Sequence, residues 1–313
     1  MDISSWRDTW GRIKWKKDPE DKILQEIKDF YRAGVDFNME DLYCGGKTPL
    51  MYAAEDSTPK VIDLLVGGGA NPNLADNDNW TALHYATRGA KIKNVKCCLE
   101  HASKNCVNKK DVFHSTALHT AIHKNYVEIA KLLIEFGATD NFGAPDKKIT
   151  FDEYAPTLDE YKPVLHFAST FGRVRIIRAL IDAGFDINIR RRFDGTTALH
   201  WAAAGGCVKV ITELLECPNI DINAQDKEGW TALHVASNLD RIKAVKALIE
   251  HGIDVNIKNR GRKTALDIAH KQKIVDIIRD SKQIRDNYLA VQNQPKTVAR
   301  RRVKKVNNDR QYQ

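Results

Sequence analysis

Apolar positions along this chain fall into short helical stretches separated by polar turns. The clearest example is the segment from Gly229 to Asn259, where Leu233 and Ala236 lie three residues apart on one helical face. After a polar turn, a second series of apolar residues follows at helical spacing: Ile242, Val245, Leu248 and Ile249. Gly252 comes next, at the place where a left-handed glycine ends a helix. The pattern predicts a helix, a tight turn, a second helix and a hairpin-like loop.

A four-residue motif opens the first predicted helix of this unit and recurs along the chain. TALH and its variants TPLM, PVLH and TALD begin at seven positions: Thr48, Thr81, Thr116, Pro163, Thr197, Thr231 and Thr264. Successive starts are 33, 35, 47, 34, 34 and 33 residues apart. A period near 33 indicates stacked repeats, each packing on its neighbours. Because neither helix is long enough to be stable alone, stacking must supply the missing burial.

The units resemble ankyrin repeats, whose pattern is roughly G-x-T-P-L-H-x-A-A-x-x-G followed by a second helix ending in L-L-x-x-G-A-D-V-N. TPLMYAA, TALHYAT, TALHTAI, VLHFAS, TALHWAA, TALHVAS and TALDIAH carry the resemblance, which covers about residues 14–280. It implies an all-α solenoid of about eight units, counting degenerate caps, that binds proteins through a concave helix face and its loop tips. It also implies structural roles for the motif residues, which cap helices and hydrogen-bond neighbouring repeats: Thr48, Thr81, His84, Thr116, His119, His166, Thr197, His200, Thr231, His234 and Thr264.

The motif positions divide the chain into segments. We predict an N-terminal cap and degenerate first repeat over 1–45, in which an amphipathic helix presents one apolar face made of Ile3, Trp6, Trp10 and Ile13. Ankyrin repeats follow at 46–78, 79–113, 114–143, 161–194, 195–228 and 229–261, with a capping repeat at 262–280. Residues 144–160 form an insertion loop, and 281–313 form a basic tail that we expect to be disordered after 294.

Candidate binding residues lie in the insertion and at the loop tips. The insertion contains FDEY and LDEY, and Tyr154 and Tyr161 beside acidic residues suit a protein interface. A tolerated surface insertion is the alternative, because long loops cost little entropy. The loop tips add six further candidates: Trp80, Phe113, Arg190, Arg191, Arg192 and Trp230. The two tryptophans can instead be packing staples, and the arginines are expected to be solvated unless they meet an acidic partner.

Charge is concentrated at the C-terminal end of the chain. Residues 281–313 contain nine Lys and Arg against two acidic residues, so this tail holds +7 of the formal net charge of +8. The segment ARRRVKK forms a basic cluster of Arg300, Arg301, Arg302, Lys304 and Lys305. Such clusters are typical of nuclear-localisation signals and nucleic-acid contacts. A simple solvated tail and contact with an anionic membrane are the alternatives.

Composition narrows the class of protein. No apolar run approaches the roughly 18 residues that a membrane span needs, and the N-terminus has no secretory signal. The six cysteines form no CxxC pair and no zinc spacing, so we expect free thiols in a reducing compartment, and neither a metal nor a cofactor. We therefore predict a non-enzymatic, monomeric, cytoplasmic scaffold that binds a protein partner. The alternatives are a nuclear or nucleic-acid-associated regulator acting through the tail, an exported effector, and an enzyme with its site in the insertion.

Overall fold

A computed structural model describes residues 9–139, 163–281, 283–285 and 289. Over these residues the chain forms fifteen α-helices and no strand, which confirms the all-α prediction. The helices are α1 (Glu20–Arg32), α2 (Pro49–Asp56), α3 (Pro59–Gly67), α4 (Ala82–Arg88), α5 (Ile92–His101), α6 (Ala117–Lys124), α7 (Val127–Glu135), α8 (Val164–Thr170), α9 (Val174–Asp182), α10 (Ala198–Gly205), α11 (Val208–Leu215), α12 (Ala232–Asn238), α13 (Ile242–Glu250), α14 (Ala265–Ile268) and α15 (Gln272–Arg279). Short 3-10 helices occur at Trp10–Arg12 and Lys104–Asn108.

A threonine is the N-cap residue of the first helix in most repeats. The backbone of each such threonine is extended, and each forms a capping box with the residue at the third helical position, which satisfies free N–H groups of the first turn. That residue is histidine in α4, α6, α10 and α12, Met51 in α2 and Asp267 in α14. In α8 the cap residue is Pro163, which offers neither a hydroxyl nor an N–H.

The helices stack in two layers. The first helices of the repeats (α2, α4, α6, α8, α10, α12 and α14) pack on one another, and the second helices (α3, α5, α7, α9, α11, α13 and α15) pack behind them. We call the former the first-helix layer. Small side chains permit close approach in this layer, because six of its seven helices contain a fully buried alanine: Ala53, Ala86, Ala121, Ala168, Ala202 and Ala236. Closer packing on one side bends a stack toward that side, so the first-helix layer lines the concave face.

The array continues directly across the predicted insertion, which lies outside the described residues. α8 packs on α6, and α9 packs on α7. Arg173, at the start of α9, donates hydrogen bonds to the carbonyl oxygens of Ile122 (3.2 Å) and His123 (2.8 Å) at the end of α6. The units on either side of residues 140–162 are therefore neighbours in the stack.

The N-terminal end differs from the prediction where it is described. Ile3 and Trp6 lie outside the described residues, and Trp10 belongs to a 3-10 helix instead of a continuous amphipathic α-helix. The Trp10 indole is fully buried and donates a hydrogen bond from Nε1 to the carbonyl oxygen of Asp36 (3.1 Å). Its ring also packs edge-on against Phe30 and Phe37. These contacts with the first repeat outweigh the local helical pattern.

At the C-terminal end, α15 closes the stack. Ile274 and Ile278 are its buried residues, and residues 281 and 283–285 continue in helical conformation. The predicted tail beyond residue 289 lies outside the described part of the chain.

Candidate protein-binding surface

A hairpin-like loop precedes the first helix of the described repeats other than that of α8, whose preceding residues lie outside the described part of the chain. In three loops an aspartate N–H donates to the carbonyl oxygen four residues later, at 2.9 Å, in the pairs Asp76–Trp80, Asp111–Ser115 and Asp226–Trp230. The carboxylate of the same aspartate accepts backbone N–H groups of the loop, which fixes the turn. These bonds give each loop a defined tip that projects beyond the helices.

Backbone hydrogen bonds join neighbouring loops into a row. Val112 N–H donates to the carbonyl oxygen of Asp78 (3.0 Å), and Lys227 N–H donates to that of Asp194 (2.8 Å). Similar bonds join Asn77 to Gly45 and Arg260 to Glu228. The loops before α2, α4 and α6 therefore stand side by side, as do those before α10, α12 and α14, while residues 140–162 between the two sets lie outside the described part of the chain.

Large apolar side chains are exposed on tips of both sets of loops. Tyr43 is 81% exposed, Phe113 60% and Phe193 62%. Leu42 and Val112, beside them in the same tips, are exposed as well. We call these five residues the tip cluster. Of these five residues, only Phe113 was predicted from the sequence as a binding candidate. The other four could have been found because each is an apolar residue inside a polar loop.

The motif histidines join the repeats. In His200, Nδ1 accepts the backbone N–H of Thr197 (3.2 Å), so Nε2 must carry the proton, and it meets the carbonyl oxygen of Trp230 in the next repeat at 2.9 Å. His234 makes the corresponding contact with the carbonyl oxygen of Lys263 (3.1 Å). This geometry requires a neutral imidazole, and burial lowers the pKa of His200 and of His234.

His84 and His166 are two motif histidines with strongly lowered pKa values. Burial lowers the pKa of each to about 4. His166 Nε2 lies 2.8 Å from the carbonyl oxygen of Thr196 in the following repeat, whereas its Nδ1 has no hydrogen-bond partner because Pro163 cannot donate. His119 accepts the N–H of Thr116 at 3.2 Å, in the same way as His200.

The two tryptophans predicted as tip residues are half-buried and packed. Trp80 donates from Nε1 to Asp111 Oδ2 in the next loop (3.1 Å), and the Arg88 guanidinium lies 5.1 Å from its ring centroid. The Trp230 ring lies 6.0 Å from that of His234, centroid to centroid. Both side chains make contacts within the array, so neither projects freely from a tip.

The three consecutive arginines were expected to be solvated, but one of them is buried. Arg191 is buried, forms two hydrogen bonds with the Asp194 carboxylate (3.1 and 2.6 Å), and stacks near the rings of Phe193 and Trp201. The acidic partner is therefore inside the same loop, and Arg191 does not offer a free charge. Arg192 is exposed. Arg190 is also exposed, and it donates to a backbone carbonyl of the next loop and lies 3.9 Å from Asp221.

The concave face carries an aromatic row that the sequence reasoning missed. Tyr52, Tyr85, Phe167 and Trp201 each follow the fourth motif residue directly, on α2, α4, α8 and α10. The polar ends of three of these rings bond to the loop of their own repeat: Tyr52 to Asp41 (2.8 Å), Tyr85 to Asp76, and Trp201 to Thr196 (3.0 Å). The signal was present in the sequence, because the position after the motif is aromatic in four of seven units.

Cations lie against the aromatic row. Lys47 Nζ lies 4.7 Å from the centroid of the Tyr85 ring, and the Arg88 guanidinium approaches the same ring at 4.7 Å. Arg88 also forms a two-point ion pair with Glu55 on the preceding repeat, with both N–O distances at 2.6 Å. Because Tyr85 is buried, these cations cover its ring, and the half-buried members of the row are Tyr52, Phe167 and Trp201.

The remaining candidates lie outside the described residues. These are Tyr154 and Tyr161 in the insertion and the basic cluster Arg300, Arg301, Arg302, Lys304 and Lys305. All six cysteines are described and none is in a disulfide. Among the helices that the structure describes, none has the length and apolar character to cross a membrane.

Known proteins share both the sequence pattern and the fold. The family model for ankyrin repeats matches residues 20–100, 50–144, 88–191, 146–226 and 219–285. The structure of the human ASB11 ankyrin repeat domain is similar, with a TM-score of 0.58 and 22% sequence identity, over 80% of this chain and 100% of that one. At this identity the likeness concerns the fold alone.

Two relatives match parts of the chain. Putative ankyrin repeat protein FPV244 of fowlpox virus is 30% identical over 129 residues, which are 41% of this chain and 18% of that protein. Phosphocholine transferase AnkX of Legionella pneumophila is 29% identical over 118 residues, 37% of this chain and 12% of that enzyme. The matched stretch is thus less than a fifth of either relative. Because the family model covers most of the chain and the helices repeat with its motif, the chain belongs to the ankyrin repeat family.

Proposed function

We propose that this chain is a non-enzymatic module that binds a protein partner through the tip cluster and the adjoining concave face. Ankyrin repeats generally mediate protein–protein interaction. The observation that carries the proposal is the exposure of large rings at Tyr43, Phe113 and Phe193, each in a loop that precedes a first helix. Scattered exposed apolar residues need no explanation, whereas large rings at the tips of several loops of one array suit an interface.

Preorganisation supports the same proposal. The loops are tied to one another by backbone bonds, and Asp194 holds Arg191 between Phe193 and Trp201. A partner that docks on loops fixed in this way loses little ordering entropy on binding. We propose further that the module acts as a monomer inside the cell, in the cytoplasm, and that its basic tail directs its location.

A capture experiment with matched variants tests the binding surface. The bait is the full chain in one of three forms: wild type, the tip variant Tyr43→Ser/Phe113→Ser/Phe193→Ser, or the control variant Tyr31→Ser/Leu239→Ser. The control changes exposed apolar residues outside the tip cluster. We expect a protein that wild type and control retain and the tip variant loses. If all three baits retain the same proteins equally, the tip cluster is not the binding surface.

The tail is tested by a truncation. A chain of residues 1–280 is compared with the full chain at low and high salt. Retention of the same protein by both at high salt supports the repeat array as the binding module. Loss with the tail, or release by salt together with nucleic acid, would instead support counterion-driven contacts by the basic cluster and the alternative of a nucleic-acid-associated regulator.

A further inference from the structure

Three side chains with three different metal-ligating groups lie together in the layer formed by the second helices of the repeats, away from the tip cluster. They are Asp63 on α3 and Cys97 and His101 on α5. Asp63 Oδ1 lies 2.7 Å from His101 Nε2 and 3.1 Å from Cys97 Sγ. Within the described part of the chain this is the one group of His, Cys, Asp and Glu side chains whose ligand atoms all lie within 4.8 Å of one another.

Local geometry explains why the three meet. Cys97 and His101 are one helical turn apart, so they lie on the same face of α5. α5 packs against α3, where Asp63 occupies the facing turn. The Cys97 side chain is buried, whereas the side chains of His101 and Asp63 are 33% and 58% exposed. The cluster therefore has a buried sulfur at its base and an opening toward solvent.

We propose that Asp63, Cys97 and His101 bind one zinc ion, with water in the fourth coordination position. Thiolate, imidazole and carboxylate are the three side-chain ligands that zinc takes, and three protein ligands with one open position is a common arrangement. The ion would join α3 to α5 and so join two neighbouring repeats.

The two hydrogen-bond distances fit a site that opens slightly on binding, and the third pair, Cys97 and His101, has its ligand atoms within 4.8 Å of each other. Ligand atoms around a tetrahedral zinc ion lie roughly 3.4–3.6 Å apart, given bond lengths of about 2.0–2.3 Å. The present distances of 2.7 and 3.1 Å are hydrogen-bond distances and must lengthen by less than 1 Å. Because Asp63 and His101 are partly exposed side chains, small rotations of these two groups supply the change.

Charge also favours a cation at this place. In the metal-free cluster the Cys97 thiol donates a hydrogen bond to the Asp63 carboxylate at 3.1 Å. On binding, zinc displaces the thiol proton to the solvent, and the thiolate and carboxylate together balance its charge.

Other repeats lack the combination, which makes the cluster specific to one interface. The buried residues of α3 and α11, and of α5 and α13, align by the same pattern. The positions equivalent to Asp63, Cys97 and His101 are Thr212, Ala247 and His251. His251 is therefore a matched control, a histidine at the same helical position in a unit where Thr212 and Ala247 replace the acid and the thiol.

The test uses cobalt as a spectroscopic probe and zinc for affinity, on the full chain kept reduced with a phosphine. We expect one cobalt ion per chain, with thiolate-to-metal charge-transfer absorption in the near ultraviolet, displaced by one equivalent of zinc. Zinc should also raise the melting temperature, because it binds the folded chain. An absence of saturable binding would overturn the proposal.

Variants assign the ligands. Cys97→Ala, Asp63→Asn and His101→Ala should each weaken zinc binding by about tenfold or more, and Cys97→Ala should abolish the charge-transfer absorption. His251→Ala and Cys44→Ala, the latter at an exposed cysteine, should leave both unchanged. Cys97→Ala is compatible with the fold, since Ala247 fills the same position. Zinc bound equally well by His101→Ala and by wild type would place the ion elsewhere and refute the assignment.

Discussion

Acid should unfold this chain well above the pH at which carboxylates titrate, because its motif histidines must be neutral. His84 is 1% exposed, and burial lowers its pKa from 6.5 to about 4. The unfolded chain therefore takes up a proton near pH 6.5 that the folded chain refuses until about pH 4. The contribution to stability is complete above pH 6.5 and is lost as pH falls through that window.

The size of the effect follows from the two pKa values. For one histidine with an unfolded pKa of 6.5 and a folded pKa of about 4, the free energy of unfolding falls by about 2 kcal/mol between pH 7 and pH 5. His166, with the same shift, adds a similar loss. His200 and His234 act in the same direction, because burial lowers the pKa of each.

The decisive comparison is between wild type and His84→Gln. Glutamine is a usual capping-box residue at the third helical position, so it can still accept the N–H of Thr81 but cannot titrate. The fall in stability from pH 7 to pH 5 should be about 2 kcal/mol smaller in His84→Gln than in wild type. The difference between chains cancels the contributions of the carboxylates.

Two measurements serve as the assay. Equilibrium denaturation followed by circular dichroism gives the global free energy at each pH. Because repeat arrays need not unfold as one unit, amide hydrogen exchange of α4 is measured beside it and corrected for intrinsic rates. If His84→Gln is folded at pH 7 and shows the same pH dependence as wild type by both methods, the buried neutral histidine is not the source of acid sensitivity.

Three further predictions concern stability. Arg191→Ala should cost about 2 kcal/mol, because it removes a charged hydrogen-bond pair from Asp194, whereas its exposed neighbour Arg192→Ala should stay within about 0.5 kcal/mol in the same urea titration. Thr231→Ala should cost about 1 kcal/mol through the lost cap, while Thr231→Ser should keep most of it; equal melting temperatures for all three chains would contradict this. Deleting residues 148–159 should leave the helical circular dichroism intact, since α8 already packs on α6, and a collapse of that signal would make the insertion structural.

Helix positions were predictable because their determinants are local. The threonine cap, the residue three positions on and the apolar spacing all lie within about two helical turns, so a window of sequence contains them. α12 begins directly after Thr231, and α13 ends directly before His251, with Gly252 at a φ of +87°. Tertiary contacts were not needed to read these bounds.

Predictions failed where distant or unexpected partners decide the conformation. The Trp10 indole bonds to a carbonyl 26 residues away, which a helical pattern cannot indicate. Arg191 was expected in solvent because it belongs to a run of three arginines. Its contacts with Asp194 and the Trp201 ring instead hold it in the loop. In both cases a single contact outweighs the composition of the surrounding segment.

A position at which one repeat differs from the others can mark a site that is unique to that repeat. Positions on which the repeats agree, such as the motif histidines, serve the stack in every unit and so cannot mark a unique site. The position of Cys97 is filled by alanine at Ala247, which shows that the fold does not require a thiol there. A residue that differs from its equivalents in other repeats indicates a site when it lies close to other ligating residues, as Cys97 does to Asp63 and His101. The spacing rules for zinc missed this group because one ligand comes from the preceding repeat, and only the packing of α3 on α5 brings it within reach.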